Sequence, residues 1–319
     1  MSLARCCVIG GGGFIGSHLA GQLLASGREV TVVGRRPTLR YSPPNGVRYL
    51  AGDYGNREFL RRLLDEADEV VHLAYATVPQ TSFEDPVRDI TANLPQSVQL
   101  FAEASRRKIA KLVFVSSGGT VYGRVRAIPV REDHPTMPVS PYGITKLALE
   151  KYAFMYRELE DLSVVIVRPG NAYGPNQVPY SGQGFIATAI ASILRGREIS
   201  LFGDPGTVRD YLHVTDVSAG ILAALTSGVP GVCYNIGSGV GRSNRDILDA
   251  LEPLAARMNL MPRVTVLPAR RFDVPVNILD SRGLAKDTGW HPRTLFVDGI
   301  TSTWDWYCRN LGAEMEIRV

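Results

Sequence analysis

Four consecutive glycines, Gly10 to Gly13, followed by Phe14, Ile15 and Gly16, separate an apolar run from an amphipathic one. Gly10, Gly13 and Gly16 stand three apart. The run Arg5–Ile9 reads as a short strand, and Phe14–Ser26 carries Phe14, Leu19, Leu23 and Leu24 at helical spacing. Backbone without Cβ turns tightly and lets another group come close. A helix opening directly from such a turn offers unpaired N–H groups and the positive end of its dipole. Glycine spacing alone carries little. Strand, glycine turn and helix together predict a seat for a pyrophosphate, and hence a bound dinucleotide.

The pattern continues as alternating strand and helix. Strands are expected at Glu29–Val33, Val47–Leu50, Glu69–Leu73, Lys111–Ser116 and Ser163–Val167, and helices at Asn56–Asp65, Pro86–Arg107 and Tyr142–Glu158, the second bent near Pro95. This alternation predicts an α/β fold, a Rossmann-type doubly wound parallel sheet covered by helices on both faces. Beyond it, helices are expected at Gly184–Arg195, Thr215–Ser227, Ser243–Arg257 and Phe296–Arg309. Short strands are expected near Ile199–Phe202, Cys233–Ile236 and Val264–Leu267. Residues 1–168 are read as the dinucleotide-binding domain. Residues 169–319 are read as mainly a smaller C-terminal α/β substrate-binding lobe, with some chain returning to the first domain.

Charge excludes some functions. The 35 Lys and Arg against 31 Asp and Glu leave a net of +4 without a basic cluster, so no nucleic-acid partner is expected. No apolar run approaches the ~20 residues of a membrane span, and no signal peptide is evident. Cys6, Cys7, Cys233 and Cys308 lack metal-ligand spacing and read as reduced thiols of a cytoplasmic protein.

The second strand should end at the adenosine ribose, where an NAD site usually carries an acidic residue. This chain has Gly34, Arg35 and Arg36. Two guanidinium groups can pair with a 2′-phosphate, so NAD or NADP remain open with a lean toward NADP. The alternative is that both arginines stack on adenine or face solvent. Asp53 is placed to accept from the adenine amino group, or else to cap the following helix.

Tyr142 and Lys146 stand four apart, which on a helix puts both on one face. An ammonium near the phenol favours phenolate and should lower the tyrosine pKa toward working pH.

With residues 12–19, Thr120–Gly123, Ser140–Lys146, Arg168–Pro175 and Val208–Val217, the sequence resembles the extended short-chain dehydrogenase/reductase family over nearly its whole length, and in particular its nucleotide-sugar 4-epimerases. The resemblance implies that Tyr142 is the acid/base and Lys146 its partner, with cofactor contacts from Tyr54, Leu73, Ala74 and Ala76. It also implies contacts from Asn93, Val115, Ser116 and Pro169. The substrate diphosphate would meet Asn171 and Arg209, and the phosphate and nucleoside Arg270 and Asp273. Arg209 could instead pair with Asp210 or Asp216, and Arg270 could be a surface charge.

Three departures stand out. The family's reacting-hydroxyl partner, Ser or Thr, is Gly118 here, leaving Ser117 or Thr120 to replace it. A lysine of some epimerases is Thr77. A pocket-narrowing tyrosine of some members is Asn277, which should leave room for an N-acetyl group. The reaction implied is transient oxidation at sugar C4, of the UDP-glucose/UDP-galactose or UDP-N-acetylhexosamine type. The alternatives are an NADPH-dependent keto-sugar reductase and a non-catalytic dinucleotide-binding protein. Gly118, Gly119 and Thr120 disfavour dehydration, which uses an Asp-Glu pair there. The helices Pro86–Arg107 and Tyr142–Glu158 often pair across a homodimer in this family.

Overall fold

The structure is a computed structural model, and residues 3–270 and 273–311 are described. Strand β1 (Arg5–Ile9) turns through the glycines into helix α1 (Phe14–Ala25), followed by β2 (Glu29–Gly34) and β3 (Val47–Ala51). Then come α2 (Arg57–Asp65), β4 (Glu69–His72), α3 (Pro79–Glu84) and α4 (Pro86–Arg106). The strand β5 (Lys111–Val115), helix α5 (Pro141–Glu160) and strand β6 (Val164–Pro169) complete the first half. The second half runs β7 (Asn171–Tyr173), α6 (Phe185–Leu194), β8 (Glu198–Phe202), β9 (Val208–His213), α7 (Val214–Ser227) and β10 (Cys233–Ile236). It ends with β11 (Gly241–Arg242), α8 (Asn244–Ala256), β12 (Arg263–Leu267), β13 (Val276–Asn277), α9 (Arg282–Thr288) and α10 (Phe296–Asn310).

Seven strands form one sheet in the order β10-β6-β5-β4-β1-β2-β3, and every neighbouring pair is parallel. Apolar alternation explains the two layers. Cys6 and Val8 face a core shared with Leu19, Leu23, Val217 and Ile221, whereas Cys7 and Ile9 face one shared with Leu60, Leu100, Phe101 and Leu149. Strand order reverses between β1 and β4, and a crevice opens at the carboxyl ends of strands at such a reversal.

A smaller sheet is centred on β9, which pairs with β7, β11 and β13. Its register sets Asn171 beside Tyr211 and Asn277 beside Arg209. A separate parallel pair joins β12 to β8, and α6, α8 and α10 pack into a third core.

The expected elements form, with ends displaced by a residue or two. Helix α5 begins at Pro141 because Ser140 caps it, its hydroxyl accepting from the Gly143 N–H at 3.2 Å. Pro95 lies inside α4. The sequence reading lacked α3, β7, β9, β11, β13 and α9. Strand β9 was hidden by Asp210, a wholly buried carboxylate that accepts from backbone N–H groups of Ser238, Gly239 and Leu279.

One ion pair joins α5 to the sheet. Arg168 of β6 donates to Glu150 of α5 at 2.6 and 2.9 Å, with the side chains 6% and 1% exposed. Removing one partner of a buried pair leaves an uncompensated charge. Arg168→Met should cost about 3–5 kcal/mol in urea unfolding, with much of that recovered in a double variant that also carries Glu150→Leu.

Candidate active site

A cavity of about 550 Å³ lies over the carboxyl ends of β1, β4, β5 and β6, touching Gly10, Leu73, Val115, Ser116 and Pro169. It adjoins a second of about 540 Å³ along shared walls of Asn171, Arg209, Tyr211, Arg270 and Asp273.

The glycine loop forms the floor. Gly10 has φ +85°, and a Cβ there would lie 2.5 Å from the Ala74 nitrogen. At Gly16 a Cβ would lie 2.4 Å from the Gly11 Cα. Gly13 starts α1 without a side-chain cap, and no acidic residue sits in the first turn. The first turn of α1 lines the cavity through Gly13, Phe14, Ile15 and Gly16, a cradle suited to a dinucleotide pyrophosphate.

Other expected cofactor residues stand behind or outside this wall. Ala74 packs against Gly10, and Tyr54 is buried with its ring 5.3 Å from that of His72. Asn93 accepts from the Ala76 N–H at 2.7 Å and donates to Thr77 and to the Asp89 carbonyl, so it ties the loop after β4 to α4. Arg35 and Arg36 are exposed beyond β2. The Tyr49 hydroxyl donates to the Arg36 carbonyl at 2.5 Å, and a Cβ at Gly34 would lie 2.9 Å from that hydroxyl. Asp53 does not cap α2. It accepts from the Gly55 N–H at 2.9 Å, and Asn56 is the cap.

Arg209 makes no ion pair with Asp210 or Asp216. Asp210 is committed to the backbone groups named above, and Asp216 accepts from the N–H groups of Arg293 and Thr294. The Arg209 guanidinium donates only to the Val208 carbonyl among the bonds observed, at 2.9 Å, and burial pulls its pKa down. It gives the wall positive charge suited to an anion. Arg270 lies over the Phe202 ring at 4.2 Å and pairs with Asp273 at 2.9 Å.

Tyr142 and Lys146 both line the cavity, joined by Ser117, Gly119 and Thr120 from the loop after β5. Ser117 hydrogen-bonds the Tyr142 side chain. The Thr120 hydroxyl has no protein partner among the described residues. Lys146 donates to the Val115 carbonyl at 2.8 Å. Burial pulls its pKa down to about 7, against the opposing carboxylates of Glu150 and Asp89. The expected lowering of the tyrosine pKa is overturned. Burial pushes the phenol up, Asp89 adds to the rise, and the Ser117 bond only partly opposes it. Lys146 sits 5.8 Å from the centre of the Tyr142 ring, and burial outweighs the expected effect of its charge.

Gly118 has a packing reason. A Cβ there would lie 2.5 Å from Leu279 Cδ1 and 2.8 Å from the Arg168 carbonyl oxygen. Asn277 does not widen the cavity. It is 1% exposed, lies outside the lining and donates to the Gly118 carbonyl at 3.1 Å.

The sequence reading missed Tyr75, Gln80, Phe83 and Gln183 in the wall, and Ser82, whose hydroxyl accepts from the Tyr142 N–H at 3.2 Å. Only the aromatic Tyr75, in an otherwise small-residue stretch directly after β4, offered a signal.

The chain matches the NAD dependent epimerase/dehydratase family over residues 6–237. It belongs to that family. It is an enzyme of the extended short-chain dehydrogenase/reductase class. Among relatives, it is 34% identical over 311 residues to the UDP-glucose 4-epimerase of Mycolicibacterium smegmatis, covering 95% of this chain and 98% of the other. It is 31% identical over 329 residues to a dTDP-glucose 4,6-dehydratase of Streptomyces antibioticus, covering 95% and 92%. The structure of the UDP-glucose 4-epimerase of Thermus thermophilus in complex with NAD superposes with a TM-score of 0.87 at 36% identity, covering 95% and 99%. For this epimerase/dehydratase family member, no helix among the described residues is long and apolar enough to cross a membrane.

Overpacking at position 118 gives a direct check. Gly118→Ser should lose about 1–3 kcal/mol of stability by thermal or urea unfolding, and should not raise turnover, because Leu279 and the Arg168 carbonyl already occupy the space.

Proposed function

We propose that the chain is a nucleotide-sugar 4-epimerase of the UDP-glucose/UDP-galactose type, with UDP-N-acetylhexosamines as the other candidate substrates. The carrying observation is the meeting of three features in one cavity. These are the glycine cradle, the Ser117–Tyr142–Lys146 group, and the Arg209 guanidinium without an ion-pairing carboxylate among the described residues.

Bound nicotinamide dinucleotide supplies a reversible hydride acceptor at sugar C4. Gly10, Gly13 and the first turn of α1 would hold its pyrophosphate, and Lys146 would reach its ribose. Asn171 and Arg209 hold the substrate diphosphate, and Arg270 with Asp273 meets the nucleoside end. Tyr142 takes the proton of the sugar 4-hydroxyl as C4 is oxidised and returns one to the carbonyl oxygen as C4 is reduced. Ser117 orients that phenol. Inversion follows when the keto sugar turns about its diphosphate link and presents its other face.

Dehydration is disfavoured because Asp273 is the sole carboxylate among the described residues lining the cavity that holds Tyr142 and Lys146, and it is paired to Arg270. A second reading, an NADPH-dependent keto-sugar reductase, rests on Arg35 and Arg36 and on the Tyr49 hydroxyl at the place of an acidic residue at position 34. The dinucleotide is NAD or NADP, and Arg35 with Arg36 supports a lean toward NADP. Exposed Phe83, Val87 and Ile90 near α4, and Ile144, Met155 and Leu159 on α5, support a homodimer through these helices.

Purified protein given UDP-glucose, UDP-N-acetylglucosamine or UDP-glucuronate without reductant should interconvert a 4-epimer pair with no net cofactor change. Conversion of a keto sugar only with NADPH would replace this reading by the reductase. Tyr142→Phe should lose about 10²–10⁴-fold in turnover while still binding dinucleotide. Replacing Arg35 and Arg36 together with alanine should weaken NADP relative to NAD by about tenfold or more in binding titrations.

A further inference from the structure

Helix α4 buries a carboxylate beside the reacting pair. Asp89 is wholly buried and makes no ion pair among the described residues. Its Oδ1 accepts from the Thr77 hydroxyl, and its Oδ2 lies 3.5 Å from the Tyr75 hydroxyl that donates to it. Asn93, one turn on, donates to both the Thr77 hydroxyl and the Asp89 carbonyl, which fixes the carboxylate against the loop after β4.

Tyr75 connects this carboxylate to the cavity. The Lys146 ammonium stands 4.1 Å from the centre of the Tyr75 ring, over its face. The same ring meets that of Tyr142 edge to face, with centroids 4.8 Å apart. One side chain thus touches carboxylate, ammonium and phenol. A full negative charge held out of water is costly unless hydrogen bonds and nearby positive charge compensate it.

We propose that Asp89 is a positioning residue: through Tyr75 and Thr77 it fixes the charge balance between Lys146 and Tyr142. A carboxylate favours the charged ammonium and disfavours the phenolate. Burial, the first cause, raises the Tyr75 phenol and keeps it neutral. Glu150 lies on the same helix as Lys146 but is bonded to Arg168 and Ser116. His72 of β4 is pulled down to about 3, by burial first and by Lys146 second, so it stays neutral. Ser117 donates no charge. Asp89 is then the carboxylate near the pair that no guanidinium or ammonium bonds directly.

The inference rests on Tyr142 as the acid/base, so its test needs a readout besides sugar turnover. Phenolate absorbance of the dinucleotide-bound enzyme is followed against pH, taking wild type minus Tyr142→Phe as the Tyr142 signal. Asp89→Asn keeps the shape and removes the charge. Its Tyr142 midpoint should fall by about one pH unit, and the acid limb of turnover should fall with it. Thr77→Val strips one donor from the carboxylate, leaves the charge in place, and should move the midpoint the other way. A midpoint that stays put in both variants while rate or stability drops overturns the proposal, leaving Asp89 a structural residue. If Asp89→Asn does not fold, an unmoved midpoint in Thr77→Val overturns it alone. A midpoint that moves in a protein turning over no nucleotide sugar supports the role of Asp89 and rejects the epimerase reading.

Discussion

The buried bond between Glu150 and Arg168 is the constraint on which the site's geometry rests. It fastens α5, which carries Tyr142 and Lys146, to β6, which leads into Asn171. The same Glu150 carboxylate accepts from the Ser116 hydroxyl at 2.5 Å, and Arg168 donates to the Tyr122 hydroxyl, which in turn donates to Asn235 of β10. Five segments are thereby held in one hydrogen-bonded group: the end of β5, the loop at Tyr122, α5, β6 and β10. A group satisfied at every member gives a rigid frame, whereas a partly satisfied one would cost stability. The strand-five loop, hanging between Ser116 and Tyr122, has little freedom left. That is why the absence of a hydroxyl at Gly118 is a consequence of packing as much as of chemistry.

Within this frame, enclosure drives Lys146 and Tyr142 the same way, toward their neutral forms. The ammonium falls to about 7 and the phenol rises. Proximity of the two groups is therefore insufficient to make a base. The carboxylates and hydroxyls around them, and the charges of what binds, decide which proton is mobile.

The nucleotide-holding part of the fold was legible because it is local. The glycine turn, its strand and its helix lie within 21 residues of chain from Arg5 to Ala25, and the Tyr142–Lys146 spacing is a property of one helix. What escaped notice depends on distant segments. Asp210 reads as a candidate partner for Arg209 until Ser238, Gly239 and Leu279 bring their N–H groups to it. Asp89 reads as an ordinary acid in a helix's first turn, where it complements the dipole, and only the folded loop after β4 reveals Thr77 and Tyr75 upon it. Asn277 illustrates the reverse error: its counterpart in related sequences suggested a sugar pocket, yet β13 pairing turns it toward the Gly118 carbonyl.

The Tyr49 ring also has a consequence for how the ribose end of the cleft can change. Its hydroxyl stands where a side chain at position 34 would begin and at the same time anchors the backbone of Arg36. An acidic residue introduced at 34 must displace that hydroxyl, and displacing it frees the segment bearing both arginines. Residues on two adjacent strands are thus interlocked, so an acidic side chain at position 34 needs an accompanying change at Tyr49.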